Sequence, residues 1–180
     1  MKINSKDTLK YTGRVKITVK KDKKKVKTNI YHNNGCDELF HFLALCLANK
    51  NAEADAYRPV KIKAFYTEDF KPSEIANNKQ KVFLDSNAVT NYLMTNTAPT
   101  VTSENETVLH FLIPYSFVTK NKINIFALYP SLATITKPIA YFLLANETDD
   151  TWTPIEIGAD TKTQLNLAIE WTLKISNKGE

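Results

Sequence analysis

Residues 165–175 read Leu-Asn-Leu-Ala-Ile-Glu-Trp-Thr-Leu-Lys-Ile, and an apolar side chain occupies every second position. The positions between them are polar except for Ala168. A period of two residues is typical of a β-strand with one buried face. At about 3.3 Å per residue this strand would be roughly 36 Å long. A strand of that length suits a sandwich of two sheets, with Trp171 near the middle of the core.

Shorter strand patterns precede this segment. Residues 14–19 alternate in the same way, and residues 26–31 read as their partner in a hairpin. Further strands are predicted at 60–66, 88–95, 106–113, 123–129 and 138–145, and the strand at 106–113 continues at 115–118. Loops are predicted at 97–105 and 146–150, and a short helical turn is predicted within 68–81. Strands in close succession with one early helix predict a mainly β fold, either an antiparallel β-sandwich or a jelly roll.

The early helix is predicted near residues 37–48, after the turn Asn33-Asn34-Gly35. Asp37 and Glu38 stand at its start, where the helix dipole favours negative charge. Apolar residues then cover most of its circumference: Leu39, Phe40, Phe42, Leu43, Leu45, Cys46 and Leu47. Such a helix is buried on several sides, either between the sheet and a loop or against a neighbouring subunit, and Cys46 would be a small core residue. Residues 49–57 read as a polar connection.

The length and composition indicate one folded domain. The chain has 180 residues, of which 43% are apolar, so residues 1–180 are predicted to form a single β-sandwich domain with residues 1–10 as a candidate flexible arm. The longest apolar stretch, 39–48, is too short to span a bilayer, which takes about 20 residues, so no membrane contact is expected. Cys36 and Cys46 would lie about 15 Å apart along one helix, too far for a disulfide. Reduced cysteines fit a protein made in a cytoplasm.

The positive charge is concentrated at the front of the chain. The net charge is +5, but residues 1–70 carry 15 basic and 8 acidic side chains, while residues 71–180 carry 9 and 11. The densest cluster is the basic hairpin at 14–31, with candidate partner contacts at Lys20, Lys21, Lys23, Lys24, Lys25 and Lys27. Three interpretations stay open: a solvated tip that discourages aggregation, a contact with an acidic partner protein, or a weak contact with DNA or RNA phosphates. Lysine rather than arginine dominates, which is unusual for a dedicated nucleic-acid reader.

Residues that could perform chemistry are sparse. His32, His41 and His110 lack a second ligand at zinc spacing, so no metal is expected. Cys36 at a helix start could have a lowered pKa, but a packing role is favoured over a reactive thiol. The adjacent pairs Glu68-Asp69 and Asp149-Asp150 read as solvated carboxylates rather than a converging acid–base pair. Four glycines in the whole chain argue against a phosphate-binding loop. We therefore expect no enzyme, no catalytic residues and no cofactor.

Trp152 is the candidate contact for a sugar. It stands after the acidic stretch at 146–150, where an exposed indole could stack on a carbohydrate. The alternative, that it is a residue at the edge of the core, is favoured. If the sugar contact holds, the protein would be a carbohydrate-binding module for host recognition.

Two segments carry a resemblance to a known class of proteins. Residues 31–48, Tyr-His-Asn-Asn-Gly-Cys-Asp-Glu-Leu-Phe-His-Phe-Leu-Ala-Leu-Cys-Leu-Ala, are followed by the pair Arg58-Pro59 that opens a strand, and the chain closes with Ile-Glu-Trp-Thr-Leu-Lys-Ile-Ser-Asn at 169–177. These motifs resemble those of small structural proteins of tailed bacteriophages. The resemblance implies a virion component of the head attachment, collar, tail or baseplate, made and assembled in the host cytoplasm. Its partners would be copies of itself and other virion proteins in a symmetric assembly.

Overall fold

The computed structural model describes residues 9–21, 24–32, 34–95, 100–103, 106–156 and 165–177. Most of the secondary structure is β, and two five-stranded antiparallel sheets pack face to face. The predicted mainly β, sandwich-like fold is confirmed, whereas jelly-roll connectivity stays a prediction.

The first sheet, sheet A, joins strands from both ends of the sequence. Its strands are β1 (Leu9–Lys21), β2 (Lys24–His32), β6 (Thr100–Ser103), β7 (Glu106–Pro114) and β14 (Leu165–Asn177), in the spatial order β2-β1-β14-β7-β6. β14 is the strand with the regular alternation, and it lies at the centre of the sheet. It pairs with β1 over thirteen residues, from Leu9 opposite Asn177 to Lys21 opposite Leu165. Leu9 and Lys10, predicted to be part of a flexible arm, therefore belong to β1, and residues 1–8 lie outside the described residues.

The second sheet, sheet B, is built from shorter strands. They are β3 (Asn34–Gly35), β4 (Pro59–Phe65), β5 (Leu93–Met94), β9 (Ile125–Pro130) and β10 (Ala140–Leu143), in the order β3-β10-β9-β4-β5. Two small ladders pair β8 (Lys122–Ile123) with β13 (Ile155–Glu156), and β11 (Ala145–Asn146) with β12 (Thr151–Trp152). All six residues of β9 are buried, because sheet B is covered on both faces.

The main core lies between the sheets. Val15, Trp171 and Leu109 stand opposite one another on β1, β14 and β7, and all point inward. Trp171 is fully buried and meets Phe142 of sheet B edge-on, with 5.2 Å between ring centroids. Its predicted place in the core is confirmed. No described residue accepts a hydrogen bond from its indole Nε1, so this polar group is buried at a cost.

A second core covers the opposite face of sheet B. Phe65, Tyr129 and Tyr141 pack there against Ile75 and Val82. Ile75 belongs to a 3₁₀ helix, Pro72–Asn77, and Val82 to the short helix α3 (Lys79–Val82). Two earlier helices, α1 (Asp37–Leu47) and α2 (Asn51–Tyr57), precede it in the chain. The predicted helical turn within 68–81 is thus confirmed, and Ile75 from this segment packs on sheet B.

The early helix forms where it was predicted, but it is less buried than expected. α1 spans Asp37–Leu47, and Phe40 is 53% exposed. Cys46 is exposed rather than in the core, so that prediction was wrong. The reason is that α1 is covered mainly by a second helix, α2 (Asn51–Tyr57), and not by a layer on each side.

Three further segments differ from their predicted structure. Residues 49–57 were predicted as a polar connection, but α2 forms there because its alanines favour a helix. Within 88–95 only β5 is regular, since the Thr90 hydroxyl, rather than a backbone carbonyl, accepts the N–H of Ala64 at 3.0 Å. Residues 115–118 turn into a 3₁₀ helix at Tyr115–Phe117 after Pro114, which has no N–H to continue the ladder.

The predicted loop at 97–105 contains β6 instead, at its described residues Thr100–Ser103. Within the described ranges, no helix has the length and apolar character needed to cross a membrane.

Candidate interaction surface

One concave feature is an open groove of about 710 Å³ on the outer face of sheet B. It lies between the start of α1, helix α3 with the turn that follows it, and the loop at 133–138. Its walls mix apolar side chains, including Phe83, Leu84 and Pro138, with charged ones at the rim. We refer to this feature as the sheet B groove.

A buried lysine stands behind one wall of the sheet B groove. Lys63 on β4 is only 5% exposed. Its Nζ lies 2.5 Å from Oδ1 of Asp85 and 4.4 Å from the centre of the Tyr92 ring. Asp85 and Tyr92 both line the groove, so the lysine fixes two of its wall residues in place. A charge is tolerated at this depth only because a carboxylate and an aromatic face compensate it.

Tyr92 connects the groove to the core below. Its ring meets that of Tyr129 edge-on, with 5.0 Å between the ring centroids. Burial, and secondarily the charge of Asp85, raise the pKa of the Tyr92 phenol. Burial also raises the pKa of Tyr129. Both phenols are therefore neutral hydrogen-bonding groups at physiological pH.

Cys36 lines the same groove but is not an activated thiol. It is buried at the start of α1, and burial raises the pKa of the thiol to about 12, against the smaller opposing effect of Lys79. The suggestion that a helix start lowers the pKa of this cysteine is therefore wrong. Desolvation is the largest effect on this thiol, and Cys36 packs in the second core as a small apolar residue.

The groove is bordered by exposed apolar side chains. In the described part of the chain nine large apolar residues are exposed: Ile30, Phe40, Leu84, Tyr92, Met94, Val101, Leu112, Phe117 and Leu132. Leu84 and Tyr92 line the groove, Met94 follows Tyr92 along the same sheet edge, and Leu132 precedes the lining residue Ala133. Two of the nine, Leu84 and Tyr92, thus line one concavity, and Met94 and Leu132 are close to lining residues in the sequence. No sequence motif singles out any of these four residues.

The basic hairpin forms where it was predicted, as the pair β1–β2. In the backbone register Lys21 stands opposite Lys24, and Lys20 opposite Lys25, while Lys27 follows further along β2. Lys23 lies outside the described residues, and no side-chain placement is described for the other five. A contact of this hairpin with DNA or with a partner protein stays a prediction.

Trp152 lies on β12, half-buried against the second core. Its indole Nε1 donates a hydrogen bond to the carbonyl oxygen of Phe70 at 2.9 Å. The packing role favoured in the sequence analysis fits this placement, and the sugar contact stays a prediction. Nearby, a smaller cavity of about 320 Å³ is bordered by Ser73 and Asp150.

The carboxylates suggested as pairs do not converge. Asp150 accepts hydrogen bonds from the backbone N–H and hydroxyl of Ser73 at 2.8 and 2.7 Å, which lower the pKa of its carboxyl group. Glu68 accepts a hydrogen bond from the Tyr66 hydroxyl instead. Among the described residues no three His, Cys, Asp or Glu side chains come together as a metal site.

Comparisons with known proteins give no relatives. No family model, no curated protein and no solved structure matches the chain. The resemblance to tailed-phage structural proteins therefore rests on its short motifs alone.

Proposed function

We propose that this protein is a structural subunit of a tailed-phage virion. In this role it acts through contacts with copies of itself and with other virion proteins, and not as an enzyme. The observation that carries the proposal is the exposure of Leu84 and Tyr92 in the lining of the sheet B groove, with exposed Met94 and Leu132 close to lining residues in the sequence. Exposed apolar patches with a polar rim mark protein–protein contact sites.

The energetics favour covering these side chains. Complete burial of a side chain such as Leu or Met contributes about 1.5–3 kcal/mol. These side chains are partly exposed, so a neighbour that covers them gains a fraction of that amount at each position. Phe40 on the open side of α1 adds a further apolar site, which a neighbouring subunit would also cover.

The charges around the sheet B groove fit an interface rim. Glu38 and Lys137 lie on its border with 3.7 Å between their charged atoms, and Asp37 and Lys79 also line it. Protein interfaces commonly have an apolar centre and a polar, hydrated rim. The rim carries both positive and negative charges. It would therefore fix the orientation of a neighbouring subunit, and would not strongly attract a molecule of either charge.

The test is the solution mass by sedimentation velocity and light scattering, across a range of protein and salt concentrations. We expect a defined oligomer that persists at high salt, because apolar contacts are not screened. Leu84→Ser should weaken it, and Phe117→Ser, an equally exposed apolar residue that does not line the groove, should leave it intact. A monomer under all conditions would contradict self-assembly.

A further inference from the structure

One edge of the sandwich is built from a segment without charge. Residues 86–103 contain no Asp, Glu, Lys or Arg, although the chain average of 24% would place about four charges in a stretch of that length. This is the longest uncharged run in the sequence. Unlike the uncharged stretches that form β9 and β10, it supplies edge strands: β5 of sheet B and β6 of sheet A.

β5 and β6 lie at the same side of the molecule. β5 contacts β7, the neighbour of β6, across the sandwich. Each is the last strand of its sheet in the part of the chain that the structure describes. Met94 on β5 is 57% exposed and Val101 on β6 is 71% exposed. We call β5 and β6 together the uncharged edge.

The opposite edge of sheet A is strongly positively charged. It is formed by β2, which carries Lys24, Lys25 and Lys27, beside the end of β1 with Lys20 and Lys21. Lysines on an edge strand prevent another strand from pairing with it. The described residues of the uncharged edge include no lysine, and its Thr and Val residues favour extended pairing.

We propose that a second copy of this chain pairs with β6 along the uncharged edge, as an antiparallel two-fold dimer. This inference rests on the proposed function and adds a second contact between subunits, separate from the sheet B groove. β6 carries a bulge at Thr102, between the paired positions Val101 and Ser103, so the regular part of the edge is Thr100–Val101. A two-fold axis near Val101 places neutral side chains against neutral ones and closes the contact after two copies.

The distribution of charge selects this edge for self-association. Each copy has a net charge of +5, concentrated in the basic hairpin, so two copies repel each other when their hairpins approach. Pairing through β6 makes a continuous sheet of ten strands with the two β2 strands at its far ends. At about 4.8 Å between strands they would be roughly 43 Å apart. That distance is several times the screening length of about 8 Å at physiological salt.

The experiment uses charge substitutions at Val101, read out by sedimentation equilibrium of the full chain. We expect Val101→Lys and Val101→Glu each to weaken dimerisation by at least about tenfold, because like charges then meet at the two-fold axis. An equimolar mixture of the two variants should associate again, in a salt-dependent manner. The matched control is Ile30→Lys on β2, where the wild-type residue is 60% exposed, and it should dimerise like wild type. Circular dichroism and the thermal midpoint check that each variant is folded.

The results separate this inference from the broader proposal. If the wild type is an oligomer that Val101→Lys leaves unchanged, or that Ile30→Lys disrupts equally, the β6 contact is wrong while self-assembly stands. If the mixture of the two charged variants fails to associate although each is folded, the two copies do not contact each other at Val101. A wild type that is monomeric at every concentration overturns both.

Discussion

The side chain of Asn124 pairs with the backbone of Thr67 as a neighbouring strand would. Its Nδ2 donates to the carbonyl oxygen of Thr67 at 2.6 Å, and its Oδ1 accepts the N–H of Thr67 at 3.2 Å. Both residues are buried, and the backbone N–H of Asn124 donates to the carbonyl oxygen of Phe65. One amide therefore continues the hydrogen bonding of β4 after the strand has ended.

We expect Asn124→Ala to lower the free energy of unfolding by about 2–5 kcal/mol, because a buried N–H and C=O lose their partners together. Asn124→Asp should also destabilise, since a carboxylate cannot donate to the Thr67 carbonyl. Urea unfolding monitored by tryptophan fluorescence measures both. The exposed Asn121→Ala is the control and should change stability by less than about 0.5 kcal/mol. A small effect of Asn124→Ala would mean that water replaces the amide.

The pair Lys63–Asp85 should respond asymmetrically to substitution. Asp85→Ala leaves a buried ammonium group without its carboxylate, and we expect a loss of about 1–3 kcal/mol. Lys63→Met removes the charge and keeps the volume, so its cost should be smaller. The double variant should be more stable than Asp85→Ala alone, as denaturant unfolding of the three proteins would reveal. Additive effects would mean that the two residues are not coupled.

The two cysteines should differ sharply in reactivity. We expect one fast-reacting thiol per folded chain with a disulfide reagent at pH 8, at the exposed Cys46. Cys36 should react only on unfolding, since burial both blocks access and keeps the thiol protonated. Cys46→Ser should abolish the fast phase in an absorbance assay. Two fast thiols in the folded protein would contradict the burial of Cys36.

Stability should decline at alkaline pH. The pKa of Cys36 is raised from 9.0, and those of Tyr115 and Tyr141 from 10.0, each to about 12, chiefly by burial. The unfolded chain loses these protons first, so their contribution is complete below about pH 9 and is lost as the pH rises towards 12. Urea midpoints at pH 8, 9, 10 and 11 should fall progressively. Tyr115→Phe should reduce the slope, and a flat profile up to pH 11 would contradict the prediction.

The basic hairpin predicts, at most, a weak and salt-dependent contact with duplex DNA. If the hairpin neutralises about four phosphates, raising the salt concentration from 50 to 200 mM should lower the affinity for DNA on the order of 100-fold. Replacing the three lysines at 23–25 by Glu should abolish binding in a fluorescence anisotropy assay. The control replaces three exposed lysines elsewhere by Glu: Lys71, Lys81 and Lys137. Absence of binding at low salt, or binding that salt does not weaken, would rule this contact out.

The sequence predicted those elements whose burial follows a simple period. β14 was found because Leu167, Ile169 and Trp171 on one face are buried, while the alternating Asn166, Ala168 and Glu170 are only half-buried. α1 was found because acidic residues precede an apolar run. The burial of α1 was overestimated because the sequence does not show whether the fold covers an apolar residue such as Cys46. β6 was missed because Thr and Ser are common in loops, and only pairing with β7 makes residues 100–103 a strand.

The sheet B groove could not be predicted from the sequence. Lys63, Asp85 and Tyr92 come from three separate segments, and no motif connects them. They meet because β4 pairs with the segment that follows Asp85, through Phe65 opposite Ala88 and Ile62 opposite Leu93. The one signal available was the absence of charge over residues 86–103, which has meaning only once that segment is known to form an edge.

The thirteen-residue pairing of β1 with β14 makes the folding of sheet A wait until β14 has been synthesised. β1 leaves the ribosome well before its central neighbour, which is completed only at Asn177, on the order of 10 s later. Until then the inward face of β1 has no strand beside it except β2. Contacts of such long sequence separation also predict slow refolding. The nascent chain is therefore exposed to premature association, and the lysines beside that open face would keep nascent copies apart during this interval.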